Sequence, residues 1–273
     1  LEEEFKKFIK WTKGELGGKK HKHIAKHLDY IICPGDVVEG AGIYPGQEDD
    51  LAIEDIREQY EEAARWLDKI PKDIEMIFIP GNHDAGRLAE PQHTISKDYA
   101  PDLWAMENAR LASNPSTVRI GQTEDFKGFD MLLYHGGSLV YYADQIPSIR
   151  EEGGQKRSDL IMEFLLQRRH LAPSHGSTPY VPGEDQLLID DLPDFFVTGH
   201  IHRARATNYR HITMINASTW GETTEDQIKR GLEPQPGRVP IVNLRTRQMT
   251  IINFLSKSTK EAEKERVEQA TEV

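Results

Sequence analysis

Leu1, Phe5, Phe8 and Ile9 recur at helical spacing with Lys and Glu between them, which predicts an amphipathic helix running to about Thr12 before Gly14. A short helical piece follows the Gly17-Gly18-Lys19-Lys20 turn. The apolar run Tyr30-Ile31-Ile32-Cys33 then predicts a buried strand that stops at Pro34-Gly35-Asp36. From Asp50 to Lys69, Leu51, Ile53, Ile56, Tyr60, Ala63, Ala64 and Leu67 draw a helical stripe, and Met76-Ile77-Phe78-Ile79 predicts a second strand ending at Pro80-Gly81-Asn82-His83-Asp84. The pattern repeats at Met131–Tyr134 before His135-Gly136 and at Phe195–Thr198 before Gly199-His200-Ile201-His202. Four apolar strands thus finish in turns rich in His, Asp and Gly.

Helical patterns at about 101–111 and 158–170 separate some of these strands, and 211–216, 239–244 and 249–254 read as further strands, the last two joined by a short polar turn. Alternating strands and helices followed by a strand-rich last third predict an α/β fold, a two-sheet β-sandwich flanked by helices. Residues 1–256 are expected to form one domain. The stretch 257–273 is nearly all Lys, Glu and small polar residues and reads as a charged tail, disordered or a solvated helix. In layered α/β sheets, ligands bind beyond the carboxyl ends of the strands. The four polar turns fall there.

Composition narrows the function. The 273 residues, 37% hydrophobic and 29% charged, can bury a substantial core. With 34 basic and 45 acidic residues the net charge is −11, so a cationic surface gripping nucleic acid everywhere is excluded and phosphate binding falls to a local site. Cys33 is the single cysteine, so no disulfide closes within the chain and a reducing, cytoplasmic compartment is expected. No apolar run reaches the roughly 20 residues that span a bilayer. The chain opens without Met and directly in a helix, so it is expected to be a fragment of something longer.

Singly, the four turns are ordinary. In chain order they read Gly35-Asp36-Val37-Val38-Glu39-Gly40, Gly81-Asn82-His83-Asp84, His135-Gly136 and Gly199-His200-Ile201-His202. A carboxylate can bridge two cations, while an amide oxygen and neutral imidazoles complete mixed oxygen and nitrogen spheres that suit Mn, Fe or Zn better than Ca. The ordered series resembles the calcineurin-like metallophosphoesterases. By that resemblance Asp36 bridges two divalent metals, with Mn favoured ahead of Fe or Zn; Asn82, His135 and His200 bind one, and His202 binds the other. His83 contacts the phosphate and stabilises or protonates the leaving oxygen, and Asp84 either orients the His83 ring or serves packing or capping. The family's first motif, Asp-x-His, does not precede Asp36 in this sequence. It is expected just upstream, so one metal site is intact and the other half-built.

The segment Gly40-Ala41-Gly42-Ile43-Tyr44-Pro45-Gly46-Gln47, the turn Leu133-Tyr134-His135-Gly136 and the stretch Arg169-His170-Leu171-Ala172-Pro173 resemble the small subunits of archaeal family D DNA polymerases. That resemblance implies a proofreading 3′-5′ exonuclease subunit that hydrolyses terminal phosphodiesters with a hydroxide activated by two metals. It implies as partners a large catalytic polymerase subunit, the single-stranded 3′ end of DNA and the sliding clamp. The alternatives are a non-catalytic scaffold that docks the large subunit, and a phosphatase or phosphodiesterase of the same fold. Tyr44, His170, His175, Tyr180 and Arg203 are the candidates to line a groove for a frayed strand.

Other features read as structural. His21, His23 and His27 form a solvated basic face. Trp66 and Trp104 lie in helical patterns and are expected in the core, Cys33 is a small core residue, and Glu48-Asp49-Asp50 is expected to cap the helix that follows.

Overall fold

The computed structural model describes residues 1–224, 227–228, 232–256, 258 and 260, so all of the charged tail except Ser258 and Lys260 lies outside it. Three parallel strands, β1 (Tyr30–Pro34), β2 (Glu75–Ile79) and β3 (Ala109–Leu111), form one sheet in that order. A second sheet runs β4 (Ser116–Ile120), β5 (Phe129–Tyr134), β6 (Phe195–Thr198), β8 (Ile212–Asn216), β7 (Arg205–Tyr209). Its centre, β5-β6-β8, is parallel and its two edges are antiparallel. The hairpin β9 (Arg238–Val242) and β10 (Met249–Asn253) stands apart as a two-stranded sheet.

Side-chain alternation divides the strands between layers. Ile77 and Ile79 of the first sheet meet Met131, Leu133, Phe195 and Val197 of the second, which is the filling of a sandwich. The alternate residues Met76 and Phe78 face outward onto Phe8, Ile9 and Trp11 of α1 (Glu2–Thr12). On the other outer face, Leu132, Tyr134, Phe196 and Met214 pack against α5 (Leu139–Gln145), α6 (Pro147–Glu151) and α7 (Ser158–Arg168). The expected two-sheet sandwich flanked by helices is the observed architecture.

Several local expectations are corrected. The helix expected over 101–111 is only α4 (Pro101–Ala105), because Ala109–Leu111 pairs with β2 instead. Trp104 consequently sits at the edge of a short helix and is 42% exposed, not in the core. Helix α3 (Ile56–Leu67) is capped by Asp55, whose carboxylate accepts from Arg57 and Glu58 N–H, while Glu48 and Asp49 belong to a separate 3₁₀ turn. Strand β1 is half-buried rather than buried, since it pairs with β2 alone. Tyr30 and Ile32 nevertheless pack toward the sandwich filling with Val242 and Leu244, and Ile31 and Cys33 pack outward with Val239 and Ile241. β1 and β9 therefore share the same two layers, and both line a cavity of about 2420 Å³ that continues to Asp36 and His200. Burial raises the Cys33 thiol to about 12, in keeping with a packing role.

Candidate metal centre

The ends of β1, β2, β5 and β6 deliver the four turns to one place. Asn82 Oδ1 lies 2.9 Å from His135 Nε2, His200 Nδ1 lies 3.2 Å from it, and Asp36 Oδ2 lies 3.4 Å away. The backbone N–H of His83 donates to Asp36 Oδ1 at 2.9 Å, which turns the other oxygen inward. Sequence proximity could not show this: Asp36 and His200 are separated by most of the chain.

Backbone conformation sets these side chains. Asp36, His200 and His202 have φ of 54°, 65° and 56°, the left-handed region that non-glycine residues rarely occupy and that concentrates at functional sites. Close packing does the rest. A Cβ at Gly35 would overlap His135 Nδ1, and one at Gly81 would overlap Asp36 Oδ1, so both neighbours of the ligand turns must be glycine.

The donor chemistry fits a cation. His135 Nδ1–H donates to the Pro34 carbonyl at 2.8 Å, which leaves the Nε2 lone pair facing the centre. The Asn82 and Asp36 oxygens lie beside it and His200 Nδ1 joins them, so two oxygens and two imidazole nitrogens, all capable of ligating a cation, converge on one point. A metal ion at that point would take all four as ligands. Burial disfavours the Asp36 charge, but His135, His83 and His200 together outweigh it and hold the carboxyl below the ordinary carboxylate range. Burial, reinforced by His135, lowers His200 to about 3, and burial lowers His202 to about 4 against the opposing pull of Asp36. Both imidazoles are thus neutral near pH 7, the form that ligates metals.

Those two shifts fix a pH dependence. Between about 6.5 and about 4 the unfolded chain binds protons that the metal-free fold refuses, so stability falls as pH falls through that window. Asp84, raised to about 6 by burial and then by Asp36, binds its proton more readily in the fold and offsets part of the loss. Urea midpoints of the metal-free protein are expected to drop from pH 7 to pH 5, and to drop less in His202→Asn.

His202 stands beside the cluster rather than in it, with Nδ1 3.2 Å from the Gln227 amide nitrogen. The His83 ring is oriented by a backbone group. Its Nδ1 donates to the Glu39 carbonyl at 2.7 Å, and the same carbonyl accepts from the buried Gln47 amide at 3.0 Å. Of the two roles open to Asp84, orienting the His83 ring is not the one observed: its carboxylate is taken up by Val37 N–H, Gly81 N–H and Tyr60 OH and so clamps the Asp36 turn to the Asn82 turn. Of the groove candidates, Tyr44 lines the cavity and its hydroxyl donates to Asp50. The other candidates do not line it. His170 is pinned between Asp185 and Ala172 N–H, Arg203 is held by Glu233, and His175 pairs with Tyr180 on a separate loop.

Two residues with no motif signal hold the ligands in register. Gln92 Nε2 donates to Gly81 O at 3.0 Å, Asn114 Nδ2 donates to Gln92 Oε1 at 2.6 Å, and His135 N–H donates to Asn114 Oδ1 at 2.8 Å. Both amides are buried, so the relay spans the Asn82 and His135 turns without water. Asn114→Leu leaves donor and acceptor stranded and is expected to cost roughly 2–5 kcal/mol, read as a lower urea midpoint at unchanged slope.

Residues 2–204 match the calcineurin-like phosphoesterase family. The chain belongs to the calcineurin-like phosphoesterases. Its curated relatives include the DNA polymerase II small subunit of Archaeoglobus fulgidus, 46% identical over 88% of this chain and 47% of that protein. The DNA polymerase II small subunit of Methanothermobacter thermautotrophicus is 43% identical over 89% of this chain and 49% of that protein. This phosphoesterase chain therefore spans about half the length of the curated relatives it matches. Among solved structures it is similar to a single mutant of Vps29 from Entamoeba histolytica, with 12% identity, TM-score 0.34 and 83% of each chain covered.

Proposed function

We propose that this phosphoesterase is the nuclease part of the small subunit of a two-subunit replicative DNA polymerase, a 3′-5′ exonuclease that removes misincorporated nucleotides. The identity to polymerase small subunits supports the assignment to replication. The observation that carries the hydrolytic reading is the convergence of Asp36, Asn82 and His200 on His135 Nε2.

Asp36, Asn82, His135 and His200 would hold one divalent ion, and Asp36 with His202 would contribute to a second, with Mn the leading candidate over Fe or Zn. Bound there, divalent ions would supply Lewis acidity and activate a water for attack at the phosphorus. This chain's own residues do the remainder. The Glu39 carbonyl holds one proton of His83 on Nδ1, so Nε2 faces the cleft and, protonated from solvent, would give that proton to the 3′ oxygen as its bond to phosphorus breaks. The Asp84 clamp and the Gln92–Asn114 relay keep the ligand turns at fixed separation. The groove between β1 and β9 would accept an extended segment from upstream in the full-length protein, bringing the Asp and His of the first motif beside Asp36. The partners of this reading are the large catalytic subunit, a single-stranded 3′ end and the sliding clamp, in the cytoplasm of an archaeon. Digestion of 3′-labelled single-stranded DNA by the full-length protein, with and without added Mn, tests it. Release of single nucleotides only with the metal supports the reading, and no release in complex with the large subunit overturns it.

A further inference from the structure

The helix α2 (Lys19–Ala25) carries only basic charges. Lys19 and Lys20 occupy its first turn, where the helix dipole disfavours cations, and Gly18 supplies no side-chain cap. Lys22 and Lys26 are one turn apart, a repulsive spacing. No acidic residue occurs between Glu15 and Asp29. Lys19, Lys20, Lys22 and Lys26 are all exposed, as are His21, His23 and His27, although Lys20, His23 and His27 also border the cavity beside β1, and among the described residues none of the four lysines makes an ion pair. A chain of net charge −11 has carboxylates to spare for such a surface and places none there. Local sequence that opposes its own fold marks a place kept for another purpose.

We infer that α2 is a docking surface for the phosphate backbone of DNA, separate from the metal centre, an inference that rests on the replication reading above. The lysines are point charges on flexible stems without an arginine fork among them, which suits sequence-independent phosphate contact rather than bidentate recognition of a folded acidic partner. Duplex DNA presents about one charge per 1.7 Å of axis, so a helix about 10 Å long faces several phosphates. The position agrees with a tracking contact. α2 precedes the start of β1, whereas Asp36 follows its end, so the patch and the metal site lie at opposite ends of one strand.

The test compares the full-length subunit, in complex with the large subunit, with a variant carrying Lys19→Gln, Lys20→Gln, Lys22→Gln and Lys26→Gln. Duplex DNA affinity is measured from about 50 to 200 mM salt, and hydrolysis is followed on a dinucleotide too short to reach α2. The expected result is a salt-dependence slope smaller by about three to four, with dinucleotide hydrolysis unchanged. An unchanged slope overturns the inference, and so does loss of large-subunit binding at an unchanged slope, which would make the patch a protein interface. The slope is read whether or not the wild type hydrolyses DNA, so failure of the nuclease reading is separately visible. Circular dichroism confirms that the variant is folded.

Discussion

His83→Ala in the full-length protein is expected to slow release of nucleotides from single-stranded DNA by about 10²- to 10⁴-fold while leaving metal affinity within a few-fold. The ring is not among the converging ligands. It is held by the Glu39 carbonyl, and its backbone N–H, which alanine retains, still fixes Asp36. The effect should therefore fall on chemistry and not on assembly of the site. A group that protonates a leaving oxygen matters most when that oxygen is strongly basic. Hydrolysis of an aryl phosphodiester, whose leaving group needs little help, is expected to lose much less. Single-turnover rates on both substrates check this, and an equal loss on both removes the acid role.

Asp36→Asn is expected to be at least as severe, for a different reason. The amide keeps the shape of the side chain and an oxygen for the His83 N–H, but it cannot bring negative charge to two cations. Metal that binds the native state alone adds about 2.7 kcal/mol of stability at a hundred times its dissociation constant. Wild-type protein is expected to show that gain in Mn as a rise in unfolding midpoint, and Asp36→Asn to show almost none while remaining folded without metal. Hydrolysis should fall to background. A variant that keeps both the metal-dependent rise and the activity would show that Asp36 is not a ligand.

Much of the candidate site was legible because its ligands stand at the ends of apolar runs. Met76–Ile79 and Phe195–Thr198 announce themselves as strands, and the polar turn after each could only emerge at one edge of a sheet. The two-sheet sandwich followed from the same alternation. What the sequence hid was conformation and distant pairing. The left-handed backbone at Asp36, His200 and His202 has no compositional signal, and Gln92 and Asn114 look like ordinary polar residues until the fold buries them between two turns. Sequence leaves Asp84 open between its chain neighbour His83 and a packing role, and the buried N–H groups of Val37 and Gly81 and the Tyr60 hydroxyl, brought close only by the fold, take its carboxylate. His170 and Arg203 looked free in sequence, and carboxylates brought close by loops occupy them. The helical stripe read through Leu111 failed because edge pairing with β2 outweighed local helical periodicity.

The most direct measurement is an anomalous-scattering map of the full-length protein crystallised with Mn. The expected result is a peak roughly 2 Å from an Asp36 oxygen, Asn82 Oδ1, His135 Nε2 and a His200 ring nitrogen together, with a second ion on the far side of Asp36 toward His202. A map whose metal peaks avoid these side chains, or in which the four donors stand apart around no ion, would contradict the account.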